Sequence, residues 1–159
     1  MTASGRPPAS LGWLLGGALR SYMSVAEKVA AGIPFGVRGY MVLEAVRSQC
    51  PGSQLELGRR LSIDKTVMTH VIDRLEEAGF VERQADPSDR RARRIVLTPA
   101  GEDVLERTGD QLGAQECQLL SGLSDSQKTS LTEALAVLAA HSGQGAQCGE
   151  IVACLASPA

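Results

Sequence analysis

Two groups of side chains in the middle of the chain have the chemistry needed to contact nucleic acid. The first lies at helical spacing and carries hydrogen-bonding or basic groups: Lys65, Thr66, Thr69, His70 and Arg74. The second is a run of guanidinium groups: Arg90, Arg91, Arg93 and Arg94. Hydroxyl, imidazole and guanidinium groups donate to base edges and phosphates, so both groups are suited to a DNA groove.

Local signals predict the elements that position the first group. Asp64 is a favourable N-cap, and Gly79 predicts the end of the helix that begins after it. The apolar positions of that helix recur with helical periodicity: Val67, Met68, Val71, Ile72, Leu75 and Ala78. A shorter helix is predicted before it, because Ser53 and Glu56 form a capping box.

The guanidinium run lies on a predicted β-hairpin. Residues 80–81 and 95–97 are rich in strand formers, and Asp86-Pro87-Ser88-Asp89 between them has the composition of a turn. Thr98 and Pro99 then predict the N-cap and first residue of a long helix. The segment therefore combines two short helices at an angle with a basic hairpin.

Residues 53–101 resemble the winged helix-turn-helix domain of the MarR family of bacterial transcription regulators. The matching pieces are ELGRRLSIDKTVMTHVIDRLEEAGFVER and DPSDRRARRIVLTPAG. The second is the more specific, with an acidic-proline turn, Asp-x-Arg, a basic strand and Leu-Thr-x-x-Gly at fixed spacing. The resemblance implies a mainly α fold with a small β-hairpin wing, flanked by N- and C-terminal dimerisation helices.

The resemblance also implies contacts with double-stranded DNA at a palindromic operator. It places the wing Asp-x-Arg, here Asp89 and Arg91, so that the arginine enters the minor groove. The candidate DNA-binding residues are Arg59, Lys65, Thr66, Thr69, His70, Arg74, Asp89, Arg90, Arg91 and Arg93. For Arg90, Arg93 and Arg94 the sequence leaves two roles open, phosphate contact or ion pairs that stiffen the wing, and Arg59 could simply be exposed.

The flanking segments predict assembly as a homodimer. We assign 1–34 to an N-terminal dimerisation helix, 35–100 to the DNA-binding core and 101–159 to C-terminal dimerisation helices. Ser10 can cap a helix that runs to about Ala30 and has a broad apolar face. Such a face exceeds what one small domain can cover, so a second copy is the expected partner. The next helix opens with Phe35-Gly36-Val37, where the family usually has Leu-Thr-Pro, and its predicted cap is weaker.

A small aromatic or anionic effector, bound between the core and the dimer helices, is a further implication of the resemblance. Its candidate contacts are Trp13, Arg20, Tyr22, Arg38, Tyr40 and Met41. Trp13 and Tyr40 could equally be ordinary core residues. The favoured function is therefore a repressor that a small molecule releases from DNA.

Cysteine chemistry gives the main alternative, a thiol-based redox-responsive regulator. Family members that sense hydroperoxides use a cysteine in the first helix, and this chain has none there. Cys148 and Cys154 would face different directions on one helix, which leaves a bond across the dimer open. His141, Cys148, Glu150 and Cys154 lack the usual zinc spacing, so we expect no metal site.

Composition narrows the function classes further. Hydrophobic residues make up 43% and aromatic residues 3%, which predicts an aliphatic core. A net charge of −2 argues against non-specific coating of nucleic acid, and residues 53–98 hold nine Lys/Arg against eight Asp/Glu. No phosphate loop, nucleophile elbow or paired acid-base constellation is evident, so we expect neither an enzyme nor a cofactor. A winged-helix protein-protein assembly module remains the rival non-enzymatic class.

The apolar run at residues 11–19 is the one segment that could suggest a membrane or secretory role. It is too short to span a bilayer, Arg20 follows it directly, and no small-x-small cleavage site is evident. We therefore expect a buried helix in a cytoplasmic protein with no membrane partner.

Overall fold

A computed structural model describes residues 10–48, 54–85 and 93–141. The predicted mainly α fold with a two-stranded wing is confirmed. The elements in chain order are α1 (Leu11–Val29), a 3-10 turn (Ala30–Gly32), α2 (Val37–Arg47), α3 (Gln54–Arg60), α4 (Lys65–Glu77), β1 (Val81–Ala85), β2 (Arg93–Leu97), α5 (Pro99–Leu119) and α6 (Asp125–His141). Ser53, the hairpin tip at 86–92 and the predicted final helix lie outside the described residues.

Most helices begin where short-range signals predict. Ser10, Asp64, Thr98 and Ser124 each accept a hydrogen bond from a backbone N–H two or three residues later, at 2.8–3.4 Å. Gly79 has a φ of 75°, the left-handed conformation expected just after a helix, and it ends α4. These boundaries depend on residues that are only a few positions apart, so the local sequence is enough to place them.

Helix α2 begins differently, with a cap supplied from another helix. Gly36, at its N-cap, has a φ of 57° and no side chain that could accept a hydrogen bond. The carboxylate of Glu27 on α1 accepts instead from the Val37 N–H, at 3.4 Å. The missing Leu-Thr-Pro signal is thus replaced by a contact between two helices.

The core is aliphatic, as the composition predicts. Helices α2, α3, α4 and α5 and the hairpin contribute its largest fully buried side chains: Val42, Leu43, Leu57, Met68, Val71, Ile72, Leu75, Val81 and Leu105. Two predicted core positions are wrong in this fold. Val67 is 37% exposed and Ala78 is exposed, because the buried stripe of α4 is centred on Met68 and Ile72.

The hairpin pairs β1 and β2 in antiparallel register. Val81 lies opposite Leu97 and Arg83 opposite Ile95. Val81 and Ile95 are buried, so this face of the hairpin packs on the helical core. Thr98 continues the pairing because its N–H donates to the Phe80 carbonyl, at 3.1 Å.

Large apolar side chains remain uncovered at both ends of the described chain. On α1 these are Leu11, Trp13, Leu14, Leu15 and Leu19, and on α6 they are Leu131, Leu135, Val137 and Leu138. The helix expected to be buried at residues 11–19 is therefore exposed in the isolated protomer. No single helix of the described part is long and apolar enough to cross a bilayer; Leu11–Gly32 and Val37–Arg47 pass that test only together, bent by 74°.

Candidate nucleic-acid interface and adjacent cavity

Helix α4 has one fully buried face and one polar, accessible face. Met68, Val71, Ile72 and Leu75 anchor it with no exposed surface. The accessible side presents Lys65, Thr66, His70 and Arg74, all exposed. The structure therefore brings together four of the predicted contact residues on one surface, in the division that a major-groove helix requires.

The amino end of α4 is held by the carboxylate of Asp64. Its Oδ1 accepts from the Thr66 N–H at 2.8 Å. That backbone hydrogen bond holds the pKa of the Asp64 carboxyl below its ordinary value, so the cap stays ionised at neutral pH. Lys65 and Arg59 line a shallow groove beside it, at the exposed edge between α3 and α4.

Thr69 has a positioning role within the protein. Its hydroxyl accepts from the Gln54 side-chain amide on α3 and donates to the Lys65 carbonyl at 2.9 Å. The side chain is only half-exposed. Thr69 therefore ties α3 to α4, and a base contact would have to compete with these partners.

His70 is supported by an aromatic residue from the turn before α2. The rings of Phe35 and His70 are arranged edge to face, with centroids 5.3 Å apart and planes at 75°. Phe35 is 40% exposed and has a φ of 65°, a left-handed conformation that is unfavourable for a bulky side chain. The imidazole of His70 therefore packs against the Phe35 ring on the exposed face of α4.

Arg83 on β1 fastens the wing to α4. Its guanidinium forms ion pairs with Asp73 and Glu76, and Glu76 also accepts from the Arg83 N–H at 3.2 Å. Arg83 is not among the contact residues predicted above, although the period-two pattern of a strand could have indicated its role. Arg83 shares a strand face with buried Val81, which directs it towards the helix.

The wing base shows different roles for its two described arginines. Arg94 is half-buried and donates to the Gln84 side chain at 3.1 Å, which supports its wing-stiffening role. Arg93 is exposed opposite Ala85. Asp89, Arg90 and Arg91 lie outside the described residues. On α4, Arg74 pairs with Glu77 at 2.6 Å, and both side chains are well exposed.

A cavity of about 400 Å³ lies between α1, α2 and α5. Of the residues expected to contact an effector, Tyr22, Tyr40 and Met41 line this cavity. Trp13 and Arg20 are not part of its lining; Trp13 is 69% exposed and the Arg20 guanidinium stacks over its ring, 5.9 Å from the centroid. Arg38 is exposed on α2 and also lies outside the lining.

The polar groups of the cavity form an ordered network. The Tyr40 hydroxyl donates to Glu44 at 3.0 Å, and one Arg47 nitrogen donates to both Glu44 oxygens at 2.8 and 3.0 Å. Burial, followed by the charge of Glu44, raises the pKa of the Tyr40 hydroxyl. Burial and then Glu116 likewise raise the pKa of Tyr22, so both phenols remain neutral donors at physiological pH.

Metal ligation finds no support in the part of the chain that the structure describes. No group of three or more His, Cys, Asp or Glu side chains there could hold an ion. Cys117 is a free, exposed thiol on α5, whereas Cys148 and Cys154 lie outside the described ranges.

Comparison with known proteins agrees with this geometry. The sequence profile of the MarR family matches residues 38–92. A probable transcriptional regulator from Pseudomonas aeruginosa is 27% identical with a TM-score of 0.69, over 84% of this chain and 99% of that one. CouR from Rhodococcus jostii, solved with p-coumaroyl-CoA, is 25% identical with a TM-score of 0.70, over 82% and 92%. The repressor CouR on a 23-mer DNA duplex is 24% identical with a TM-score of 0.74, over 87% and 99%.

Proposed function

We propose that the chain is a transcription regulator of the MarR type that a small molecule releases from DNA, and the match of the MarR family profile to residues 38–92 supports this. It binds a palindromic operator as a homodimer and acts as a repressor. A cytoplasmic location follows from this role. The single observation that carries the proposal is α4, whose apolar face is fully buried while Lys65, Thr66, His70 and Arg74 face outwards.

The DNA contacts divide between two grooves. Thr66, His70 and Arg74 contact base edges and phosphates in the major groove, and Lys65 and Arg59 contact the flanking backbone. The wing carries Arg93 at its described base and Arg90 and Arg91 beyond it, and Asp89 orients Arg91 in the minor groove. The Arg83 clamp to Asp73 and Glu76 fixes the spacing between the two sets of contacts.

The dimer explains the uncovered apolar side chains on α1 and α6. A palindrome requires two recognition helices about one helical turn of DNA apart, and a two-fold interface provides that spacing. Residues 1–34 and 101–159 supply the interface in this proposal, and 35–100 form the DNA-binding core.

Release by a small molecule is supported by the position of the cavity. It lies between α1, α2 and α5, and α1 also caps α2 through Glu27. A ligand that shifts α1 relative to α2 would disturb the turn that carries Phe35 against His70. One structural relative, CouR, was solved both with a ligand, p-coumaroyl-CoA, and on a DNA duplex.

Fluorescence anisotropy on the DNA upstream of the gene tests the proposal. We expect the protein to bind this fragment more tightly than a scrambled fragment, and Arg74→Ala to lose about 1–3 kcal/mol of binding free energy. Arg107→Ala removes the same charge from the exposed side of α5 and serves as the matched control. Equal affinity for both fragments, with no effect of Arg74→Ala, would favour the protein-protein assembly module.

A further inference from the structure

The cavity between α1, α2 and α5 has an unusual charge balance for a site expected to take aromatic or anionic compounds. Four carboxylates and one guanidinium line it, a formal balance of −3: Glu44, Glu106, Asp110, Glu116 and Arg47. Arg47 is already bound to both oxygens of Glu44. Among the described residues, the one cation of the lining is therefore neutralised by its own neighbour.

The remaining carboxylates are available to a ligand. Within the described residues, Glu106 and Asp110 form no ion pair, and both are exposed at the cavity rim on α5. Glu116 is half-buried and its charge helps to raise the pKa of the Tyr22 hydroxyl, so Tyr22 stays neutral and does not compensate that charge. An anionic ligand in the cavity would be repelled by three carboxylates that form no ion pair among the described residues, two of them at the exposed rim and one, Glu116, half-buried.

The apolar lining adds a second, independent preference. Tyr22 and Tyr40 both line the space, together with Met23 and Met41. Tyrosine faces attract organic cations through the ring quadrupole, and flexible thioethers adapt to varied apolar groups. Aromatic rings beside carboxylates, around a cavity of about 400 Å³, form a setting for an ammonium group with an apolar body.

We propose that this cavity selects an organic cation, a compound with an apolar or aromatic body and an amine or quaternary ammonium group. The inference rests on the proposed function only in taking this cavity as the effector site. It narrows the expected effector class from aromatic or anionic compounds to cationic ones.

Calorimetric titration of the full-length protein without DNA tests the charge preference directly. The probes are benzyltrimethylammonium, benzyl alcohol and phenylacetate, which share an aromatic body and differ in charge. We expect the cation to bind at least about tenfold more tightly than phenylacetate. Equal or tighter binding of phenylacetate, or no binding of the cation at millimolar concentration, overturns the proposal.

A matched pair of variants locates the effect in the cavity. Glu106→Gln with Asp110→Asn should lower the affinity for benzyltrimethylammonium about five- to tenfold, since two rim charges are lost. The control, Glu102→Gln with Asp103→Asn, also removes two negative charges from α5, but at positions outside the lining. It should change the affinity for benzyltrimethylammonium less than about twofold. Equal losses in both variants would mean that the preference comes from overall charge, which overturns the cavity assignment.

Operator binding, measured separately by anisotropy, distinguishes failure of this inference from failure of the proposed function. If the protein binds its operator tightly and is released by phenylacetate but not by benzyltrimethylammonium, the cation preference is wrong and the proposed regulatory function still holds. Cation binding by a protein that ignores operator DNA would leave the cavity inference standing and the regulator refuted.

Discussion

At the scale of single residues, the contact between Phe35 and His70 links the DNA face to the turn before α2. Phe35 occupies a left-handed conformation, which costs on the order of 1–2 kcal/mol for a residue with a Cβ. Its ring nevertheless supports the imidazole edge to face. We interpret the strained turn as the means by which His70 is positioned before DNA binds.

A double-mutant cycle tests this positioning role. His70→Ala should cost about 1–3 kcal/mol of operator affinity and relax preference at one base pair. Phe35→Leu keeps an apolar side chain with a Cβ but removes the ring, and its effect should couple to that of His70→Ala by about 0.5–1.5 kcal/mol. Affinities measured by anisotropy that simply add would show that Phe35 does not position His70.

The types and spacing of the residues were enough to predict the accessible face of α4. The features that were not predicted depend on contacts between residues far apart in the sequence. Lys65, Thr66, His70 and Arg74 are exposed where helical periodicity places them. The engagement of Thr69 by Gln54, fifteen residues away, depends on the packing of two helices. Helical spacing places Glu106 and Asp110 on one side of α5, but Glu44 joins them only because α2 packs beside α5, which no local pattern in the sequence shows.

At the scale of elements, the ion pairs of Arg83 with Asp73 and Glu76 join the wing to the recognition helix α4. Arg83→Met keeps the aliphatic stem and removes the pairing with Asp73 and Glu76. We expect a loss of about 0.5–1.5 kcal/mol in unfolding free energy, because the side chains are partly exposed and solvent screens them. Urea denaturation provides the measurement.

Arg74→Met is the matched control in the same assay. Its pair with Glu77 is more exposed, so its loss should be smaller than about 0.5 kcal/mol. Operator affinity should fall in both variants, but only Arg83→Met should also shift the preferred spacing between major-groove and minor-groove sequence elements. Equal losses of unfolding free energy in the two variants would contradict a special role of Arg83 in joining the wing to α4.

Substitution of alanine for two glycines of α5 should change the stability of the protein in opposite directions. A Cβ on Gly101 would collide with the backbone of Phe80, whereas a Cβ on Gly113 would meet nothing within 4 Å. Gly101→Ala should therefore destabilise the protein by about 1–3 kcal/mol, and Gly113→Ala should stabilise it by about 0.5–1 kcal/mol. Thermal unfolding of both variants checks the pair; destabilisation by Gly113→Ala would indicate a contact with a second copy at that position.

Element boundaries were predictable where the cap is local and were missed where it is not. Asp64 and Thr98 signal their helices through residues two or three positions away. The start of α2 depends on Glu27, ten residues upstream, and on the left-handed Gly36. Likewise, Val67 was expected in the core but is exposed. Helical periodicity shows that α4 has an apolar face, but it defines less accurately which residues lie at the edge of that face.

At the scale of the whole molecule, the uncovered side chains of α1 and α6 predict obligate dimerisation. Sedimentation should give twice the mass of the chain at micromolar concentration, because burial of these residues removes apolar surface from water. Deletion of residues 1–30 should abolish soluble folding. A stable, folded monomer in either experiment contradicts the proposed interface.

The exposed apolar half of α1 also has a consequence for how steeply a gene would respond to this protein. If only the dimer binds the operator, occupancy at low expression rises with the square of the chain concentration, since two chains must meet before either contacts DNA. A twofold fall in synthesis would then lower occupancy about fourfold in that regime. A leucine-rich helix face would thus sharpen a transcriptional threshold, and substitutions that weaken it would shift the expression level at which repression begins.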